Sequence, residues 1–247
     1  MQSFTSRQIA VATFLATALV IGWDISGLDL AMARWSGGPS GFPLQDNWLL
    51  NHVFHEGARR IAWGLVLLLC VGVWLPAGPL QRLSLQRRLQ LAVTTLLSVT
   101  VIGALKVSSV TSCPWSLAEF GGIVQYASHW SHWFVPDGGS GGCFPAGHAS
   151  CGFAFLGGYF AVRESSPAAA RKWFVVAVLA GVVLGFAQQL RGAHFMSHTL
   201  WTGLICWCVA WGTDATFGRF APREVDTARG KPLAIQPAQI SATPRIA

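Results

Sequence analysis

Basic and imidazole side chains gather at three places in this chain, each at the end of a long apolar run. Lys106 opens the first and is followed by Ser108, Ser109, Thr111, Ser112, Cys113 and Pro114. The second is Cys143-Phe144-Pro145-Ala146-Gly147-His148-Ala149-Ser150, and the third runs from Gln188 through Arg191 and His194 to His198. A lysine at the end of an apolar helix is costly unless its ammonium snorkels to water or meets an anion. A proline and a glycine just before a helix leave the N–H groups around Ala146 and Gly147 able to face an anion, with His148 at the rim. Arg191 adds a fork of donors matched to phosphate oxygens, and Gln188 lies about one helical turn from it. Histidines such as His148 and His194 serve as nucleophile, base or acid near neutral pH. Capture of a phosphate group is the chemistry that these residue types share.

Metal binding is the rival reading of the same imidazoles. His129 and His132 stand three apart and His194 and His198 four apart, so each pair fits one helical face. Neither a paired-cysteine motif nor a carboxylate cluster accompanies them, and the expectation is no metal and no other cofactor. His52 and His55 are given no role beyond contact with lipid headgroups.

The elements that hold these clusters are written in the composition. Of 247 residues, 52% are hydrophobic and only 11% charged, too little polar surface for a water-soluble domain. Six stretches lack Lys, Arg, Asp and Glu: Gln8 to Trp23, Ile61 to Gln81, Leu89 to Leu105, Phe144 to Val162, Trp173 to Leu190 and Thr199 to Thr213. A backbone in hydrocarbon must satisfy its own hydrogen bonds, and the runs lack a barrel strand's alternation, so helices are expected. The predicted fold class is all-α: a polytopic membrane protein with six transmembrane helices in a bundle. A short interfacial helix is expected over Asp46 to Glu56, where apolar residues recur at helical spacing. One domain spans 1–220, with its motif-bearing core at 89–213. The stretch 221–247, rich in Pro, Ala, Thr and charge, reads as a disordered cytoplasmic tail. Trp23, Trp48, Trp63, Trp115, Trp130, Trp133 and Trp173 lie near predicted helix ends, as interfacial anchors do.

Lys and Arg stay on the cytoplasmic side of a bacterial inner membrane. Placing both termini there groups Arg7, Arg82, Arg87, Arg88, Arg163, Arg171, Lys172 and the basic tail together, and it sends all three polar clusters to the periplasmic side. The formal charge of +7 then reflects topology and anionic lipid, with the bilayer as partner and no nucleic acid. The first run followed by Ala31-Met32-Ala33 also has the form of a secretory signal, whose removal leaves five helices; Asp24 and Asp29 argue against that. Cys113 and Cys143 bound the second outward loop, and in an oxidising compartment they form either a disulfide or two free thiols, the disulfide being favoured. Oligomeric state is not legible.

These clusters resemble those of the type 2 phosphatidic acid phosphatase family of integral membrane lipid phosphatases, over roughly Leu89 to Trp211. That family carries a Lys, six residues, then Arg-Pro; a Pro-Ser-Gly-His; and a Ser-Arg, five residues, His, three residues, Asp. Here Lys106 and Pro114 keep the first spacing with Cys113 in place of Arg, and Pro145-Ala146-Gly147-His148 keeps the second with Ala146 in place of Ser. In the third, His194 aligns with the nucleophile, Gln188 with the Arg and His198 with the Asp. The resemblance implies that His194 attacks phosphorus to form a phosphohistidine, His148 protonates the leaving oxygen, and Lys106 holds phosphoryl oxygens, with no metal. His198 is expected to accept the hydrogen bond that orients His194, a task that only its neutral form performs, which makes activity sensitive to acid. Arg191 is expected to replace a missing arginine. The implied substrate is a membrane lipid phosphate or pyrophosphate, undecaprenyl pyrophosphate first, with phosphatidylglycerol phosphate, phosphatidic acid and lipid A phosphate open. The alternatives are a lipid-to-lipid phosphotransferase and a catalytically weak lipid-binding or transport protein.

Overall fold

The computed structural model describes residues 4–130 and 135–220. His132, Trp133 and the tail from Ala221 onward lie outside them. Every regular element among the described residues is helical, and the strand-like pairings are two isolated bridges, Gly38 with Gly41 and Leu117 with Val124. The helices are α1 (Ser6–Ile25), α2 (Leu28–Ala33), α3 (Ala58–Val71), α4 (Leu85–Ser108), α5 (Ser150–Phe153), α6 (Gly157–Val162), α7 (Pro167–Leu190) and α8 (Met196–Phe220).

Local chemistry sets the ends. Thr5 closes a capping box on α1, its hydroxyl accepting from the Gln8 N–H while its own N–H donates to the Gln8 side chain. Ser84 and Ser166 cap α4 and α7 in the same sense, and Pro167 occupies the first turn of α7, where a missing N–H costs nothing.

Three helices, α1, α4 and α7, are long and apolar enough to cross a membrane. The other three predicted crossings take different forms. Residues Leu49–Gly57 form a π-helical stretch that continues without a break into the short α3, so the segment expected to be a separate interfacial helix is instead the start of the second rod. The fourth run is a chain of short turns, Gly147–Ala149, α5, Ala154–Leu156 and α6. It is buried almost throughout, and irregular helix is tolerated at such depth where protein rather than lipid surrounds it. At Gly152 a Cβ would stand 2.1 Å from the Gly181 nitrogen, so the backbones of α5 and α7 touch and only glycine fits.

The last helix, α8, occupies the middle of the bundle, packed on α1, α4 and α7. Its described residues expose no large apolar side chain, whereas Phe14 and Leu19 of α1, Leu67 and Leu68 of α3, and Val176 and Leu179 of α7 face outward. A central helix is free to carry Ser197, Thr199 and Thr202 inside, which lowers its mean hydropathy below that of a lipid-facing span. Near the C-terminal end of α8, Asp214 accepts from Arg87 (3.1 Å), Arg163 (2.8 Å) and Gln90 (2.9 Å), which locks α4 and α6 to it. Arg87 lies about 29 Å along α4 from Lys106 at 1.5 Å per residue, so this charged clasp and the predicted site occupy opposite ends.

Candidate active site

All three polar clusters converge at one end of the bundle. The first and second are joined by backbone hydrogen bonds, Gly142 N–H to Ser109 O (2.7 Å) and Cys143 N–H to Thr111 O (3.1 Å). A disulfide between Cys113 and Cys143, with Cα atoms 5.2 Å apart, ties them covalently. The third docks on both: Trp115 N–H donates to Gly192 O (3.0 Å) and Ala146 N–H to His198 O (3.3 Å). Gly192 turns the chain between α7 and α8 at φ +74°, and a Cβ there would meet the Phe42 ring at 2.3 Å. Glycine is required on both counts.

Within this end, Lys106 donates from Nζ to the Gly142 carbonyl. Arg191, 8% exposed, donates to Gln45 O and to Gln188 Oε1, each at 3.0 Å. His55 from the π-helical stretch stacks on His148, ring centroids 3.7 Å apart. Among the described residues no carboxylate forms an ion pair with Lys106, Arg59 or Arg191. Lys106 is half-buried and Arg191 buried, with the charge of Asp46 acting on Arg191 but no carboxylate in ion-pair contact, and cations so placed favour an anion.

A groove of about 210 Å³ leads from Lys106 and Arg59 between α3 and α4, and Arg191 does not line it. Lys106, Arg59, His148 and Gly147 stand at its head, and Trp63, Val66, Val99 and Ile102 line its length. A larger apolar cavity, about 390 Å³, lies between α1, α7 and α8 and is bordered by none of the predicted site residues.

His194 is packed behind the groove rather than along it, 4% exposed, with Nδ1 3.6 Å from Cys143 Sγ. The hydrogen bond expected from His198 is not made. The two rings lie 5.8 Å apart at 70°, and His198 Nδ1 has no hydrogen-bond partner. The Cys143 sulfur occupies the position beside His194 Nδ1 that an acceptor would need. Burial, followed by the charge of Lys106, keeps His194 well below the ordinary imidazole range, and thus neutral.

Two carboxylates, Asp24 at the end of α1 and Asp29 in α2, hold this arrangement from the side. Asp29 accepts from the Ser197 N–H (3.0 Å), from its hydroxyl and from Trp23 Nε1 (2.8 Å), so it caps the start of α8 beside His198. Asp24 accepts from Trp201 (2.6 Å) and Trp130 (2.9 Å) and stands 3.5 Å from His129 Nε2. His129 in turn stacks on Phe144 and sits edge-on to His198. Sequence reasoning assigned catalytic roles to none of Asp24, Asp29, His55, Arg59 and His129. Their signals were present: Asp24 and Asp29 follow closely on an apolar run, where acids are costly without partners, and His55 and Arg59 share a helical face.

Comparison with known families decides the relationship, since the family model of the PAP2 superfamily matches residues 87–220, more than half of the chain. The chain belongs to the PAP2 superfamily. No curated protein and no solved structure matches it. Superfamily members are phosphatases, and membership supports a phosphohydrolase acting on a lipid phosphate at a membrane. The matched span holds Lys106, Ala146, Gly147, His148, Gln188, Arg191, His194 and His198. It leaves out His55, Arg59, Asp24 and Asp29, so this PAP2 protein draws part of its site's surroundings from the helices that precede the match.

Proposed function

We propose that the chain is an integral membrane phosphatase that hydrolyses a lipid phosphate or pyrophosphate at the periplasmic face of the bacterial inner membrane, through a phosphohistidine on His194. One observation carries this reading: Lys106 and Arg59, which form no ion pair with a carboxylate among the described residues, stand with His148 at the head of a groove between α3 and α4, and Arg191 lies near His148 outside that lining. The phosphate sits among the cations and near the backbone of Ala146 and Gly147, and the apolar tail lies in the groove. The chain crosses the bilayer six times with both termini cytoplasmic, the second, fourth and sixth crossings being the rod from Leu49, the turns Gly147–Val162 and α8. Residues 1–220 form the phosphatase domain and 221–247 a cytoplasmic tail. Undecaprenyl pyrophosphate is the favoured substrate.

In the reaction, phosphate draws Lys106 from the Gly142 carbonyl and opens the path to His194. A nitrogen of His194 bonds to phosphorus as the ester or anhydride oxygen leaves, and His148 protonates that oxygen. Water, deprotonated by His148, then cleaves the phosphorus–nitrogen bond and releases inorganic phosphate. Lys106 and Arg191 oppose the growing negative charge, and Arg191, held by Gln188, takes the place of a missing arginine. His198 positions the start of α8 and meets the His194 ring edge-on without a hydrogen bond to it. No metal or other cofactor takes part.

A second reading, a lipid-binding protein with little turnover, is favoured by the absence of a carboxylate acceptor on His194. Phosphate release from a panel of lipid phosphates separates the two, with wild type beside His194→Ala, Arg191→Ala and Gln188→Ala. The phosphatase reading expects release by wild type, an acid-labile radiolabelled adduct lost in His194→Ala, and a fall of 10²-fold or more in Arg191→Ala against a small one in Gln188→Ala. Binding without release supports the second reading, and a labelled lipid acceptor without free phosphate identifies a phosphotransferase.

A further inference from the structure

The disulfide beside His194 brings more than two loops together. Cys143 Sγ lies 3.6 Å from His194 Nδ1, and one donor atom each from Cys143, His194 and His198 falls within 4.8 Å of the others. Cys113, bonded to Cys143, places a second sulfur beside this cluster of three. All four side chains are buried, His198 to 1% exposure, and the Nδ1 of His198 is an orphan polar atom. Zinc binds thiolate at about 2.3 Å and imidazole at about 2.0 Å in tetrahedral sites, which sets the sulfur–nitrogen edge of the tetrahedron near 3.5 Å. Cys143 and His194 already stand at that separation. The His198 donor lies within 4.8 Å of both, and Cys113 is free to turn its sulfur toward them once the disulfide is broken. Cys70, Cys151, Cys206 and Cys208 are free cysteines outside the cluster.

We propose that reduction of the Cys113–Cys143 disulfide converts this end of α8 into a zinc site formed by Cys113, Cys143, His194 and His198. A dithiol reductant gives two electrons and two protons to the disulfide and is itself oxidised to a disulfide. Zinc then binds both sulfurs as thiolates, releasing those two protons to solvent, and takes one ring nitrogen from each neutral histidine. Two thiolates and two imidazoles fill a tetrahedral ion and leave no open position, the pattern of structural rather than catalytic zinc. With the disulfide intact neither sulfur is a thiolate, so two of the four ligands are missing and the imidazoles stay free of metal. In this way the disulfide protects the reactive end of α8 from zinc as well as joining its motifs. The metal site rests on geometry alone; the loss of turnover on metal binding also rests on the reading of His194 as the nucleophile.

The test uses the full chain in detergent, oxidised or reduced with dithiol and desalted without oxygen, then titrated with zinc or cobalt(II). Reduced wild type is expected to take up one more equivalent of zinc than the oxidised protein. With cobalt it should show thiolate charge-transfer and tetrahedral ligand-field bands, which zinc abolishes. Turnover should fall at least tenfold on zinc addition and return after chelation and reoxidation. The Cys113→Ser/Cys143→Ser protein should lose the extra equivalent, and His198→Asn, which keeps both cysteines, should weaken it at least tenfold. Equal zinc uptake by oxidised protein, none by reduced wild type, or uptake undiminished in the double serine variant overturns the site. Metal uptake with the expected cobalt bands but unchanged turnover upholds the site and overturns His194 as nucleophile.

Discussion

An imidazole attacks phosphorus only while it is neutral, so if His194 is the nucleophile as proposed, its environment sets the acid side of the activity profile. Burial and the charge of Lys106 both disfavour its protonated form, which places its protonation well below the ordinary value of 6.5. A lowered value means that the neutral form persists as pH falls. The acid limb of kcat/KM against pH is therefore expected below 6.5, opposite in sense to the acid sensitivity that an orienting His198 implies. A limb at or above that value would mean that His194 is solvated in the working enzyme. At this scale the residues proposed to contact phosphate were the legible ones, because Lys106, His148, Arg191 and His194 are costly in apolar surroundings and the spacing of Lys106, His148 and His194 matches a motif. His55 and Arg59 were not, since their role depends on the Leu49–Gly57 stretch joining α3 and bringing one side of it against His148. The missing hydrogen bond between His194 and His198 was illegible too: it follows from where the Cys143 sulfur sits, and no local pattern encodes that.

Helices here are held at both ends by acids rather than by apolar contact alone, and the two ends of α8 do different work. At one end Asp29 caps the helix beside His198; at the other Asp214 clasps Arg87 and Arg163. Removing a partner from a buried ion pair costs about 3–5 kcal/mol, and losing hydrogen bonds to a charged group costs about 1.5–3 kcal/mol. Asp214→Ala is expected to lower the unfolding temperature in detergent while the folded fraction keeps its kcat and KM, since the clasp lies some 29 Å from Lys106. Asp29→Ala is expected to lower both stability and kcat, because the start of α8 then no longer fixes His194 and His198. Equal loss of kcat per folded molecule in the two variants would show that the site does not depend on this cap. Apolar runs located α1, α4 and α7 well because those helices face outward. The turns at Gly147–Val162 were read as one helix, and their irregularity follows from burial on every side, including the Gly152–Gly181 backbone contact, which composition does not reveal.

For the whole molecule the decisive question is how a substrate anchored in a bilayer reaches cations at one end of a helical bundle. Of the two cavities, the 390 Å³ one is larger and almost wholly apolar, yet none of the site residues borders it. A lipid resting there presents no phosphate to Lys106. The 210 Å³ groove between α3 and α4 runs from Lys106 and Arg59 along apolar side chains of both helices, so size and chemistry disagree and the chemistry decides. Gly103 lines this groove on α4, and a side chain built there meets no atom within 4 Å of its Cβ. Gly103→Leu therefore fills the groove without a clash at the backbone, and leucine is a better helix former than glycine by somewhat under 1 kcal/mol, so folding should not suffer. If tails lie in the groove, kcat/KM for a long-chain lipid phosphate should fall tenfold or more, equivalent to about 1.4 kcal/mol of lost binding. Turnover of a short, water-soluble phosphate ester should change little, because the cations and imidazoles are untouched. A parallel fall for both substrates would place the defect at the site, and no fall for either would send the tail along another face of the bundle.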